Sequence, residues 1–223
     1  MSVILNIDTS LENASVSIAE NGEILSYLTN SVQKNHAVFL HIAIDKLLTL
    51  TNLQPPDLDA IACTIGPGSY TGLRVGLAAA KGLAYGLHIP LISVGTLNAM
   101  ARTAILQQNN NGDFLYCPLI DARRMEVYTA LYNAEQEELE PAHASILESS
   151  SFGKELDLNK IFFFGSGAEK WKNICEHKNA FFRNAEEIFR AVSLIAHEKL
   201  ISKSYDDNSL TIPLYAKPFF TES

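Results

Sequence analysis

The opening thirty residues constrain the architecture most. Val3, Ile4, Leu5 and Ile7 form a nearly continuous apolar run, the pattern of a strand buried on both faces. Residues 14–19 then alternate, and Asn21-Gly22 is the two-residue signal of a tight hairpin before residues 23–28. A buried strand followed by a hairpin predicts a mixed sheet. Residues 36–51 contain no helix breaker and stop before Pro55-Pro56, so they are expected to be helical. A strand at 60–65, a helix at 71–85, a strand at 89–94 and a helix at 97–106 complete the order β-β-β-α-β-α-β-α.

Residues 107–113 (QQNNNGD) are the most polar and turn-rich stretch, which sets the expected boundary between a lobe at 1–107 and a smaller one at 108–223. The tail of the second lobe is allowed to return to the first. Beyond the boundary the pattern partly repeats. Strands are expected at 114–120, 125–132, briefly near 141–144, and at 161–164. Gly165-Ser166-Gly167 follows, then helices at 168–175 and 185–202. An internally duplicated, two-lobed α/β protein fits this order better than a single Rossmann domain.

Composition narrows the function. Of 223 residues 47% are hydrophobic and 19% charged, enough for a real core. The longest apolar stretch, at 75–94, is broken by Lys81, His88 and Pro90, so no membrane span is expected. The start, MSVILNIDTS, has no basic region or small-residue cleavage site of the kind a secretory signal carries. Cys63, Cys117 and Cys175 are odd in number and far apart, which favours a reducing cytoplasm over a disulfide framework. The net charge of −8 argues against a chain that grips nucleic acid alone. Its one tight basic pair, Arg123-Arg124, is flanked by Asp121 and Glu126.

Two segments could hold a nucleotide. Asp8-Thr9-Ser10 ends the first strand, at the edge where α/β proteins place ligands. An aspartate there also bonds its own backbone two residues on, and the turn reading is preferred. Gly165 and Gly167 lie between a strand and a helix, where a plain β-α turn is preferred. Gly66-Pro67-Gly68-Ser69-Tyr70-Thr71-Gly72-Leu73-Arg74 matches neither GxGxxG nor GxxxxGK[ST], and reads as a rigid turn capped by Ser69 or Thr71. His36 and His41 are five apart, roughly 140° around a helix, so they do not chelate together. There is no HExxH and no GxSxG. No catalytic residue and no metal ligand is assigned.

The sharper signal is a pair of helices. Gly68, Gly72, Gly76, Ala80 and Ala84 fall four apart and make one ridge of small side chains. Interior glycines such as Gly76 and Gly82 each cost roughly 1 kcal/mol relative to alanine, so a closely packed backbone is expected to offset them. That backbone belongs either to this chain's own sheet or to a partner. In the other helix, ten of the fourteen residues 37–50 are apolar, more than one buried stripe requires. Uncovered, they would form a patch larger than monomers tolerate, and dimerisation is the economical answer.

IDTS after the first strand, GPGSYTGLRVG before the small-residue helix, DARRMEVYTALY opening the second half and PLYAKP near the end together resemble the TsaB (YeaZ) family, over most of the chain and in order. The resemblance implies two RNase H-like lobes of the actin and Hsp70 ATPase (ASKHA) superfamily, α/β with mixed sheets flanked by helices. It also implies a role in making N6-threonylcarbamoyladenosine at position 37 of tRNAs reading codons that start with A. In that family the TsaB-like protein is the non-catalytic partner of TsaD, its catalytic paralogue, alongside TsaE, a P-loop ATPase. ATP, ADP and metal are then expected on the partner subunits, with no cofactor required by this chain, and tRNA is met through the complex. The resemblance places pairing, with TsaD or with a second copy, on the two first-lobe helices. The interface residues expected there are His36, Phe39, Leu40, Ala43, Leu47, Gly72, Leu73, Gly76, Leu77 and Ala80. The alternative is an ATP-dependent kinase or ATPase of the same superfold, using Asp8, Ser10, Gly165 and Gly167.

Overall fold

The computed structural model describes residues 1–31, 36–108, 114–184, 187–205 and 210–216. Two five-stranded sheets organise it. The first contains β1 (Val3–Asp8), β2 (Ala14–Glu20), β3 (Glu23–Asn30), β4 (Ala60–Gly66) and β5 (Leu91–Gly95), in the order β3-β2-β1-β4-β5. The β1-β2-β3 meander is antiparallel, while β4 and β5 add in parallel. The hairpin turn has Asn21 at φ 51° and Gly22 at φ 86°, as its sequence predicts.

The second sheet contains β6 (Phe114–Asp121), β7 (Glu126–Tyr132), β8 (Glu138–Ile146), β9 (Lys160–Phe164) and β10 (Ala180–Phe182), in the order β10-β9-β6-β7-β8. Here too an antiparallel meander, β6-β7-β8, is extended in parallel by β9 and β10. Strand for strand it repeats the first sheet, so the duplication expected from the sequence is present in the topology.

Helices cover the first sheet on both faces. From β1, Leu5 and Ile7 pack with α1 (His36–Thr51) and α2 (Tyr70–Leu87), while Ile4 faces α6 (Phe189–Ile201) through Ala196. Polar bonds seat α6: the Ser193 hydroxyl donates to the Gly22 carbonyl (2.8 Å), and Lys199 Nζ donates to the Ser93 carbonyl (2.9 Å). In the second sheet Leu119, Val127 and Phe163 share a core with Leu156 of α4 (Gly153–Leu158) and Trp171 of α5 (Ala168–Lys172).

The compact units divide at Ala99/Met100, inside α3 (Thr96–Gln107), rather than at 107/108. Residues 187–214 belong to the first unit. The turn-rich composition at 107–113 marks the end of a helix, and a helix can begin in one unit and continue in the next. Residues 109–113 lie outside the described part. Among the described residues no helix is long and apolar enough to cross a membrane.

Candidate functional site

Two loops meet at the carboxyl ends of β1 and β4. The first is Asp8-Thr9-Ser10. Asp8 Oδ1 accepts from the Ser10 amide (2.9 Å), the Ser10 hydroxyl (2.6 Å) and the Thr64 hydroxyl (2.7 Å), all in a buried setting. This is the aspartate turn that the sequence favours over a nucleotide ligand. Close by, the Cys63 thiol is pushed far up by burial and, secondarily, by the Asp8 carboxylate.

The second loop starts at Gly66, whose φ of +118° only glycine adopts readily, and which precedes a cis peptide to Pro67. A Cβ at Gly66 would stand 2.6 Å from the Leu214 carbonyl, and the Leu214 amide donates to the Ile65 carbonyl (2.7 Å). Ser69 then caps α2 by accepting from the Gly72 amide (3.3 Å). The loops are stitched together. The Ser69 amide donates to the Ser10 carbonyl (2.7 Å), and the Thr9 hydroxyl donates to the Gly72 carbonyl (2.7 Å).

This contact explains the ridge. Side chains at Gly68 and Gly72 would run into the Ser10 and Thr9 carbonyls, and one at Gly76 into the Thr9 hydroxyl. The closely packed backbone is the chain's own loop. Gly72, Leu73, Gly76, Leu77 and Ala80 of α2, with Leu40, Ala43 and Leu47 of α1, are therefore buried in the first unit, not displayed to a partner. Phe39 is partly buried against the same core, and the His36 side chain lies outside the described part.

The surface of the helix pair is built from other residues. On α1, Val38 and Ile42 are 66% and 62% exposed, with Leu50 open as well, among His41, Asp45 and Lys46. On α2 the outward row is Tyr70, Arg74, Ala78, Gly82, Tyr85 and Gly86, and Tyr85 is 78% exposed. Arg74 lies over the Tyr70 ring at 4.0 Å. Side chains added at Gly82 or Gly86 would meet nothing within 4 Å. Helix α2 thus carries two small-residue stripes. The sequence ridge is the buried one, and the second lies bare.

In the second unit the glycines after β9 also serve packing. Gly165 has φ +102°, and a Cβ there would stand 2.5 Å from the Leu119 carbonyl; one at Gly167 would stand 2.7 Å from Val127 Cγ1. The Gly167 amide donates to the Leu119 carbonyl (2.8 Å). Gly165 borders a cavity of about 640 Å³ with Gln107, Lys172, Phe182 and Arg183. Its cations are engaged: Arg183 lies over the Phe162 ring at 4.2 Å, and Lys172 is 3.8 Å from Glu169. The kinase reading is not favoured.

Residues 24–200 match the sequence profile of the TsaD family, described as tRNA N6-adenosine threonylcarbamoyltransferase. The chain belongs to this family. It groups there with the TsaB, or YeaZ, proteins. The tRNA threonylcarbamoyladenosine biosynthesis protein TsaB of Bacillus subtilis is 37% identical over 129 residues, 58% of this chain and 54% of that protein. The chain thus spans about half the length of such curated relatives. The protein of the same name from Buchnera aphidicola subsp. Acyrthosiphon pisum is 28% identical, over 92% of this chain and 95% of its own. The solved structure of YeaZ from Pseudomonas aeruginosa superposes with a TM-score of 0.79 at 25% identity, covering 96% of this chain and all of that one. The fold class is α/β, with two mixed sheets flanked by helices.

Proposed function

We propose that this chain is the non-catalytic assembly subunit of the machinery that forms N6-threonylcarbamoyladenosine at position 37 of tRNAs reading codons that begin with A. The names of its relatives support the pathway. The observation that carries the subunit role is the outward face of α1 and α2. Val38, Ile42, Leu50, Tyr70 and Tyr85 stand exposed, with open space above Gly82 and Gly86 of α2, and each fully buried aliphatic or aromatic side chain contributes roughly 1.5–3 kcal/mol to association. A TsaD-like catalytic paralogue is the partner proposed for that face, with a second copy of this chain taking its place when the paralogue is absent. A TsaE-like P-loop ATPase completes the assembly. ATP, ADP and metal are bound by those partners, and the site of action is the cytoplasm.

Reconstitution tests the reading. Threonylcarbamoyl transfer to tRNA is measured with the catalytic paralogue and the ATPase, with and without this chain. Strong stimulation by the chain, together with no transfer by the chain alone, is the expected result. Equal transfer in its absence would refute the role.

A further inference from the structure

Among the described residues, Arg123 and Arg124 adopt φ values of 73° and 47°, the left-handed region that arginine rarely enters, and they do so side by side. They form the tip between β6 and β7, where both are exposed. The turn is pinned from inside. The Arg123 amide donates to Asp121 Oδ1 (2.6 Å), the Glu126 amide donates to the Arg123 carbonyl (3.0 Å), and Lys170 Nζ donates to Asp121 Oδ1 (2.7 Å). Asp121 is thereby engaged. Partial desolvation pushes its carboxyl up, but the Lys170 bond, the Arg123 amide and the Lys170 charge outweigh this and hold it below the usual range. Neither guanidinium has a hydrogen bond, ion pair or ring contact among the described residues. Two free cations are held on a strained protrusion of a chain whose net charge is −8.

We propose that the Arg123-Arg124 tip directly contacts the phosphate backbone of the tRNA, an inference that rests on the tRNA-modification reading. The chemistry fits phosphate better than protein. A stable protein interface hides about 800 Å² per partner around an apolar centre, far more than a two-residue tip supplies. Phosphate contacts are made singly by exposed guanidinium groups, and they position a nucleic acid without reading its sequence. An acidic subunit therefore holds RNA at a discrete basic point rather than along a broad face.

The test uses the full chain assembled with the catalytic paralogue, and measures tRNA affinity between 50 and 200 mM salt. The variant Arg123→Asn/Arg124→Gly removes both charges and supplies residues that enter positive φ more readily. Its melting temperature should hold or rise by roughly 2–4 °C, while tRNA affinity at low salt falls about tenfold and the slope of log affinity against log salt shrinks by about 1–2. The variant Arg123→Lys/Arg124→Lys should keep the wild-type slope. Unchanged affinity and slope in Arg123→Asn/Arg124→Gly would overturn the proposal, as would a shrunken slope in the lysine variant. Loss of the paralogue with tRNA binding intact would make the tip a protein contact and also overturn it. A wild-type chain that fails to stimulate transfer at all would instead remove the underlying reading.

Discussion

The carbonyl oxygen of Thr9 stands where the Cβ of any larger residue at position 72 would have to go, and the Thr9 hydroxyl bonds the Gly72 carbonyl at 2.7 Å. Helix α2 therefore approaches the β1-β2 loop backbone to backbone. Gly72→Ala tests this with a reversed sign. In an ordinary helix interior the change gains up to ~1 kcal/mol. Here it should cost about 1–3 kcal/mol, because buried backbone on both sides must shift. Gly82→Ala is the control, since its added methyl meets nothing within 4 Å, and it should gain about 0.5–1 kcal/mol. Urea melts of the two variants should move in opposite directions.

Asp8 gives a second prediction. Its Oδ1 receives the Ser10 amide, the Ser10 hydroxyl and the Thr64 hydroxyl, with Asp8, Ser10 and Thr64 all nearly inaccessible to water. Asp8→Ala leaves buried donors without that acceptor and should cost about 3 kcal/mol. Asp8→Asn keeps an acceptor oxygen and should cost less. Chemical denaturation separates the two. A wild-type-like stability in Asp8→Ala would show that the turn is not held by this carboxylate.

How far the sequence reaches depends on the length of each pattern. The β1-β2-β3 meander is legible because alternation and the Asn21-Gly22 turn act over neighbours. The three residues of β10 and the six of α4 escape because they are shorter than any periodic window. The glycine ridge of α2 is read correctly as a close approach, but its partner, Thr9, lies 63 residues away from Gly72 and leaves no local trace. The misplaced interface has a different cause. Counting apolar residues in α1 ignores azimuth, whereas His41, Asp45, Lys46 and Thr49 already mark the outward side in the sequence. Placing them on a helical wheel separates Val38 and Ile42 from Leu40, Ala43 and Leu47.

The cysteines should split by reactivity. Burial pushes Cys63 far up, with the Asp8 carboxylate adding to it. Cys117 is pushed up to about 12 by burial, with the Thr129 hydroxyl bond opposing and Glu140 and Glu155 adding. Both thiols remain protonated in the folded protein across neutral and mildly alkaline pH, whereas an unfolded thiol ionises near 8.5. A raised folded value contributes stability that is complete below the unfolded value and is lost as pH climbs toward the folded one. A thiol-specific disulfide reagent at pH 8 should label Cys175, which is partly exposed, and reach Cys63 and Cys117 only on unfolding. Melting temperature should fall between pH 8.5 and 10, and less steeply in Cys117→Ala once its own lower baseline is subtracted.

The last prediction separates the two faces of the helix pair. Ile42→Glu and Tyr85→Ala change side chains that are 62% and 78% exposed, so melting temperatures should stay close to wild type. If these residues seat the catalytic paralogue, a charge or a void at the centre of that contact should weaken the complex by about thirtyfold or more, the scale of a 2 kcal/mol hot spot. Leu40→Ala acts from the opposite side. It opens a cavity between α1 and the first sheet, costs about 2–5 kcal/mol of stability, and should affect pairing only through the loss of folded protein. Sedimentation velocity of mixtures with the paralogue, with circular dichroism on each variant, resolves the two effects. Full pairing by both outward variants would move the partner surface away from this face of α1 and α2, because both side chains stand open to solvent there.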